Sequence, residues 1–213
     1  MRLQLSCDLL TIEEAIDLSE KVKRYVDIIE MGTPFILNNG INVVKVFKER
    51  FPEKTILADM KIIDGGYEEA KMAFEAGADI VTVLLLSSIN TINSTIKCAR
   101  EFRKEIMADM IEVHDIRERV IFLQEIDVDY ICVHTAVDDQ KYDDPLEYLQ
   151  IVKKSIPNKK IAVAGGIKLE NIDTIIKEEP DIVIVGGGLT KAENVLDTAR
   201  AMKERMDMFK ERF

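Results

Sequence analysis

Short runs of apolar residues recur along the chain at a nearly even spacing, and stretches with helical patterning fill the gaps. The apolar runs are Leu3–Leu9, Val26–Met31, Thr55–Met60, Ile80–Leu84, Ile106–Met110, Tyr130–His134, Ile161–Ala164 and Ile182–Val185. Most are continuously apolar rather than alternating, as strands buried on both faces of a parallel sheet read. Thr11-Ile12-Glu13-Glu14 forms a capping box that opens an amphipathic helix through Ile16, Leu18, Val22 and Tyr25. Helical spacing predicts further helices over Gly40–Arg50, Gly66–Ala76, Ile89–Phe102, Ile116–Glu125, Pro145–Ser155, Leu169–Glu178 and Ala192–Phe209. Gly77 stands where a C-terminal cap is expected. Strict alternation of eight strands with eight helices predicts an α/β protein, a (β/α)₈ TIM barrel, over a doubly wound open sheet with fewer strands. No linker or low-complexity tract divides residues 1–213, so a single barrel domain is expected. The βα unit itself is the period, and no longer repeat is evident.

Composition narrows the partners. The 213 residues are 47% hydrophobic and 32% charged, enough for a substantial core. At roughly 27 residues per βα unit, little is left for an added domain. With 29 basic and 39 acidic residues the net charge is −10, which weighs against nucleic acid and anionic membranes as partners. A small anionic substrate stays open, because a phosphate needs only local backbone donors. The start, Met1-Arg2-Leu3-Gln4-Leu5-Ser6, lacks a leader's apolar region, and no apolar run approaches the ~20 residues of a membrane span. Cys7, Cys98 and Cys132 are widely spaced and form no CxxC pair. They are read as free, buried thiols in a reducing cytoplasm.

In a barrel of this kind the chemistry sits at the C-terminal ends of the strands. That filter selects Asp8, Glu30, Asp59, Lys61, Asp109 and His134, with Asp64 in the loop after strand 3. Asp59 and Lys61 are two apart, so their side chains point the same way. A lysine held among carboxylates can steady an anionic intermediate or move a proton, although spacing alone fits a surface ion pair equally well. Glu30 and Asp59, on adjacent strands, could share a hard cation such as Mg²⁺, or be satisfied by amides at the mouth. The turns Gly165-Gly166 and Gly186-Gly187-Gly188 follow strands 7 and 8, the usual phosphate site of such barrels; tight turns needing positive φ would read the same. His134 suits proton transfer, whereas His114 has no obvious partner. Met202, Met206 and Met208 in the last helix read as packing.

Leu57-Ala58-Asp59-Met60-Lys61-Ile62-Ile63-Asp64-Gly65-Gly66 resembles the D-x-K-x-x-D signature of the orotidine-monophosphate-decarboxylase superfamily. The phrases Cys7-Asp8-Leu9-Leu10, Ile29-Glu30-Met31-Gly32-Thr33-Pro34, Ala76-Gly77-Ala78-Asp79, Val133-His134-Thr135 and Ala162-Val163-Ala164-Gly165-Gly166-Ile167 resemble the 3-hexulose-6-phosphate synthases within it. Their sister group is the 3-keto-L-gulonate-6-phosphate decarboxylases. The resemblance covers nearly the whole chain.

It implies a lyase that condenses formaldehyde with D-ribulose 5-phosphate through a Mg²⁺-stabilised 1,2-enediolate. Glu30 and Asp59 would bind the metal, and Lys61, with Asp8 nearby, would stabilise the enediolate. Asp109 and His134 would handle protons, and Gly165, Gly166, Gly186 and Gly187 would cradle the phosphate. Asp64 would reach the partner subunit's site in a homodimer. Val137 stands where the decarboxylases resemble one another in carrying Arg, and Asp109 where they tend to carry Glu; both differences favour the synthase. Leu85 and Leu86 stand where the synthases have small residues, and are expected to narrow the pocket or re-aim the loop. The alternatives are the sister decarboxylase and a non-catalytic phosphosugar-binding relative.

Overall fold

The computed structural model describes residues 1–113, 115, 122–141 and 144–210. Its strands are β1 (Arg2–Cys7), β2 (Ile28–Met31), β3 (Thr55–Ile62), β4 (Ile80–Leu84), β5 (Glu105–Asp109), β6 (Tyr130–His134), β7 (Lys160–Ala164) and β8 (Ile182–Val185). Each pairs in parallel with the next, and β8 returns to β1 in the register Arg2↔Ile182 to Leu5↔Val185. The predicted closed barrel is therefore present.

The helices are α1 (Ile12–Val22), α2 (Thr33–Asn39), α3 (Asn42–Arg50), α4 (Gly66–Glu75), α5 (Ile89–Phe102), α6 (Pro145–Ser155), α7 (Ile172–Ile176), α8 (Gly187–Thr190) and α9 (Val195–Lys210). The capping box of α1 is formed: the Glu14 amide donates to Thr11 Oγ1 at 3.2 Å, and the Thr11 amide donates to Glu14 Oε2 at 2.8 Å. Gly77 takes φ +106° just after α4, and the Ala78 amide donates to Ala73 O at 3.0 Å.

The pattern missed α2 and α8. The first is a short helix opened by Pro34, which presets the first turn. The second is a single turn inside the glycine run. Leu9, read as part of strand 1, is 85% exposed, because the strand ends at Cys7. Of the predicted helix Ile116–Glu125, residues 122–125 are helical, while 116–121 and His114 lie outside the described residues.

Two apolar layers hold the barrel. Outward side chains such as Leu5, Ile29, Ala58, Val81, Ile131 and Val183 pack against the helices. Ile28, Leu57, Ile80, Met107, Tyr130, Cys132, Ala162, Ile182 and Ile184 form the second apolar layer, the barrel interior. The three cysteines are free and buried. Met202 and Met206 are buried as expected. Met208 is not: two residues on from Met206, it turns to the far side of α9 and is 53% exposed. Leu85 is buried in the outer layer, so it does not project into the barrel interior, and Leu86 is 43% exposed.

A longer repeat does exist, at the end of the barrel opposite the mouth. Asp27, Asp79, Asp129 and Asp181 each immediately precede an even-numbered strand and are spaced 52, 50 and 52 residues apart. Their carboxylates accept from the amides of Leu3, Ile56, Ile106 and Ile161 on the preceding odd strand, at 2.8, 2.9, 2.8 and 2.7 Å. Each Asp amide donates back to the same residue's carbonyl, at 2.8, 2.7, 3.0 and 2.7 Å. The period is thus two βα units. It rests on one residue type per pair of strands, too sparse to stand out as sequence similarity.

Candidate active site

Strand β3 carries the centre of the site, and it does so by breaking its own pleat. Its pairing with β4 runs Leu57↔Ile80 and Ala58↔Val81, then jumps to Ile62↔Val83. Asp59, Met60 and Lys61 therefore oppose Thr82 alone. Lys61 sits at φ +46°, a sparsely populated region for a residue with a Cβ. Its amide donates to Thr82 Oγ1 at 2.9 Å. The Thr82 hydroxyl donates onward to Asp59 Oδ1 at 2.8 Å. Thr33, at the start of α2, donates to Asp59 Oδ2 at 2.8 Å, and Lys61 Nζ also pairs with that oxygen. Asp59 and Lys61 do converge, as their spacing predicts, but through a bulge rather than regular alternation.

Adjacent strands supply the other charges. Asp109, at the end of β5, accepts from the Ile111 amide at 2.9 Å. Its Oδ2 lies 2.9 Å from His134 Nδ1 and 3.7 Å from Lys61 Nζ. Glu30 on β2 is buried and accepts from Gln4 Nε2 at 2.6 Å. Asp8 follows β1 and lies between backbone turns. A Cβ on Gly32 would fall 2.1 Å from Asp8 Oδ1, and one on Gly186 would fall 3.3 Å from Asp8 Oδ2. The structure thus brings Asp8, Glu30, Asp59, Lys61, Asp109 and His134 to one mouth.

Four carboxylates here face one lysine and one imidazole, and their protonation follows from that imbalance. Burial, then the charges of Asp59 and Asp8, pushes Glu30 up to about 8. Burial and Asp59 raise Asp8 as well. For Lys61, burial opposes the charge, but Asp59 and Asp109 outweigh it and raise the ammonium further. Burial also opposes charge on both Asp109 and His134. Their mutual attraction prevails, so the carboxyl falls below its usual value and the imidazole rises above its own.

The glycine turns lie against each other. Gly165 and Gly166 adopt φ +104° and +65°. A Cβ on Gly188 would meet Ile167 O at 2.3 Å, so the turn after β8 presses on the turn after β7. Asp64 stands apart: it is exposed, and its Oδ1 accepts from the Gly65 amide at 2.8 Å. The sequence reading missed Gln4, Gly32, Thr33 and Thr82. A signal was present for two of them. Gln4 and Thr82 are polar residues inside otherwise apolar strands, which a buried strand tolerates only where a partner waits.

Glu30 and Asp59 fit a hard divalent cation. They are an oxygen-only pair on adjacent strands, and Glu30 is held against its charge by burial and like neighbours, a cost a cation would remove.

The family model described as orotidine 5'-phosphate decarboxylase / HUMPS family matches residues 1–202. A 3-hexulose-6-phosphate synthase of Bacillus subtilis (strain 168) is 45% identical over 205 residues, covering 96% of this chain and 98% of that one. The crystal structure of 3-hexulose-6-phosphate synthase from Salmonella typhimurium superposes with a TM-score of 0.95 at 42% identity, over 98% of this chain and 99% of that one. A 3-keto-L-gulonate-6-phosphate decarboxylase structure from Vibrio cholerae superposes with a TM-score of 0.84 at 27% identity, over 98% of both chains.

Proposed function

Since the chain belongs to the orotidine 5'-phosphate decarboxylase / HUMPS family, we propose that it is a lyase that adds formaldehyde to D-ribulose 5-phosphate, giving 3-hexulose 6-phosphate. The observation that carries this reading is the continuous row of hydrogen bonds and ion pairs from Thr82 through Asp59, Lys61 and Asp109 to His134, at the mouth of a barrel so similar to the synthases.

The reaction needs a proton taken from C1 of the ketose, a new bond from C1 to the formaldehyde carbon, and a proton returned to the resulting alkoxide. Charge builds on the C2 oxygen of the enediolate as the C1 proton leaves. Lys61, held cationic by Asp59 and Asp109, places its ammonium where that charge develops. The Asp109–His134 pair is the proton carrier, since the carboxylate orients the ring and fixes which nitrogen is free. Asp8 supplies a hydrogen-bond acceptor for substrate hydroxyls. The amides of the turns at Gly165-Gly166 and Gly186-Gly187 receive the phosphate. Glu30 and Asp59 would hold Mg²⁺, which when bound supplies Lewis-acid stabilisation of the enediolate. Asp64, exposed on its own barrel, is assigned to a neighbouring subunit's site in a homodimer.

Val137 separates this reading from the sister decarboxylase. It is 78% exposed and offers no guanidinium to a carboxylated substrate. The test is purified protein with ribulose 5-phosphate, formaldehyde and Mg²⁺, following the hexulose phosphate formed. Turnover is expected. No turnover there, together with CO₂ release from 3-keto-L-gulonate 6-phosphate, overturns the assignment.

A further inference from the structure

Cys132 has no part in the reaction above, yet it occupies an unusual place. It lies on β6 two residues before His134, so both side chains face into the barrel. Directly across the ladder, Asp109 pairs in register with Cys132. Sulfur, imidazole nitrogen and carboxylate oxygen all lie within 4.8 Å of one another, and among the described residues this is the group of three that does so. Cys132 and Asp109 are buried, each 2% exposed, while the side chain of His134 keeps 19% of its surface toward the mouth.

Tetrahedral coordination at ordinary Zn–S, Zn–N and Zn–O lengths puts neighbouring donors about 3.5 Å apart. Side-chain adjustments of about 1 Å therefore bring the three into place, with the fourth position open to the mouth. A set of one sulfur, one nitrogen and one oxygen suits a borderline cation and is a poor site for Mg²⁺, which takes oxygen ligands.

We propose that Asp109, Cys132 and His134 form a second metal site, selective for zinc-class cations such as Zn²⁺, Co²⁺ or Cd²⁺, whose occupation shuts the enzyme off. Binding draws Asp109 and His134 onto the ion and releases the thiol proton of Cys132 to solvent. The pair then no longer carries protons for the sugar. The inhibition rests on the catalytic reading above, whereas the site itself does not.

The test separates the two. Co²⁺ is titrated into the metal-stripped, full-length protein containing excess Mg²⁺. A thiolate-to-cobalt charge-transfer band that saturates at one equivalent is expected. Cys132→Ser should abolish the band and weaken Zn²⁺ binding by calorimetry at least about tenfold, the loss seen even for outer-shell partners. Cys98→Ser should keep both. Zn²⁺ should also displace Co²⁺ and bleach the band in the unmodified protein, a readout that needs no variant. If the formaldehyde-fixing activity is present, stoichiometric Zn²⁺ should abolish it, a chelator should restore it, and Cys132→Ser should resist it. Absence of the band, its persistence in Cys132→Ser, or a band that Zn²⁺ fails to bleach overturns the site. A band without loss of activity overturns the inhibition.

Discussion

Thr82 makes two bonds with one hydroxyl, and both reach the centre of the proposed site. It receives the Lys61 amide and donates to Asp59, so it ties the strained backbone at Lys61 to the carboxylate that Lys61 must meet. Thr82→Val keeps the shape and removes both bonds. It should lower kcat about 10–100-fold, the usual range for a residue that orients a ligand or catalytic group, with KM for the sugar phosphate little changed. Thr82→Ser should restore most of the rate, which a purely packing role would not produce. Glu30 carries the opposite lesson, a charge that costs stability. Its folded value of about 8 lies above the ordinary 4.5, so between those values the native state holds more protons than the unfolded one. Stability of the metal-free protein should therefore fall as pH rises from about 4.5 to 8. Glu30→Gln should flatten that fall in chelator-treated protein, and Mg²⁺ should reverse it for the unmodified chain. Urea unfolding across pH checks both. Glu30 and Asp59 were readable in the sequence as strand-end acids. Thr82 shows there only as a polar residue in an apolar strand, because nothing in Ile80-Val81-Thr82-Val83 reveals which residue lies across the ladder.

At the scale of elements, the two ends of the barrel divide the work. The mouth carries a bulge, a left-handed lysine and crowded carboxylates, all costly on their own. The opposite end carries four aspartate clamps, each joining an odd strand to the next even one. Asp79 is the most heavily tied of these. It also pairs with Lys48 at 2.8 Å and Lys104 at 2.6 Å. Burial disfavours its charge, but the two lysines outweigh burial and hold its carboxyl below the usual value. Its contribution is therefore present above about pH 3.8 and is lost as pH falls through the lower folded value. Asp79→Asn should cost about 1–3 kcal/mol at neutral pH. For a chain of this size each kcal/mol moves Tm by about 2–4 °C. The deficit should shrink in acid, and kcat should not change, since Asp79 is remote from the mouth. The predicted strands survived almost intact because their apolar runs are long and continuous. Helices α2 and α8 escaped notice because each is too short to show a period.

For the whole molecule, the net charge of −10 is less telling than where the acids sit. At least eight of them, four at the mouth and four in the clamps, have assigned structural places. Asp64 belongs to neither set, and its exposure suits a residue that acts outside its own barrel. If the site is shared in a homodimer, Lys61→Ala and Asp64→Ala should each be nearly inactive alone. Co-expression should recover about a quarter of the activity, since random pairing makes half the dimers mixed and each mixed dimer keeps one complete site. Recovery is read on the purified mixture. No recovery, or an active Asp64→Ala protein, sinks the shared site.

The sequence by itself determined the barrel, because continuous apolar strands at regular spacing have few ways to bury both faces. It also marked out the strand-end acids, Lys61, His134 and the two glycine turns, because a barrel leaves polar residues there for a reason. Tertiary structure alone decided the rest. Register across neighbouring strands set Thr82 against the bulge, Gln4 diagonally within reach of Glu30, and Cys132 against Asp109. Those pairings join residues 21 to 26 positions apart, and local sequence carries no record of which strand positions meet.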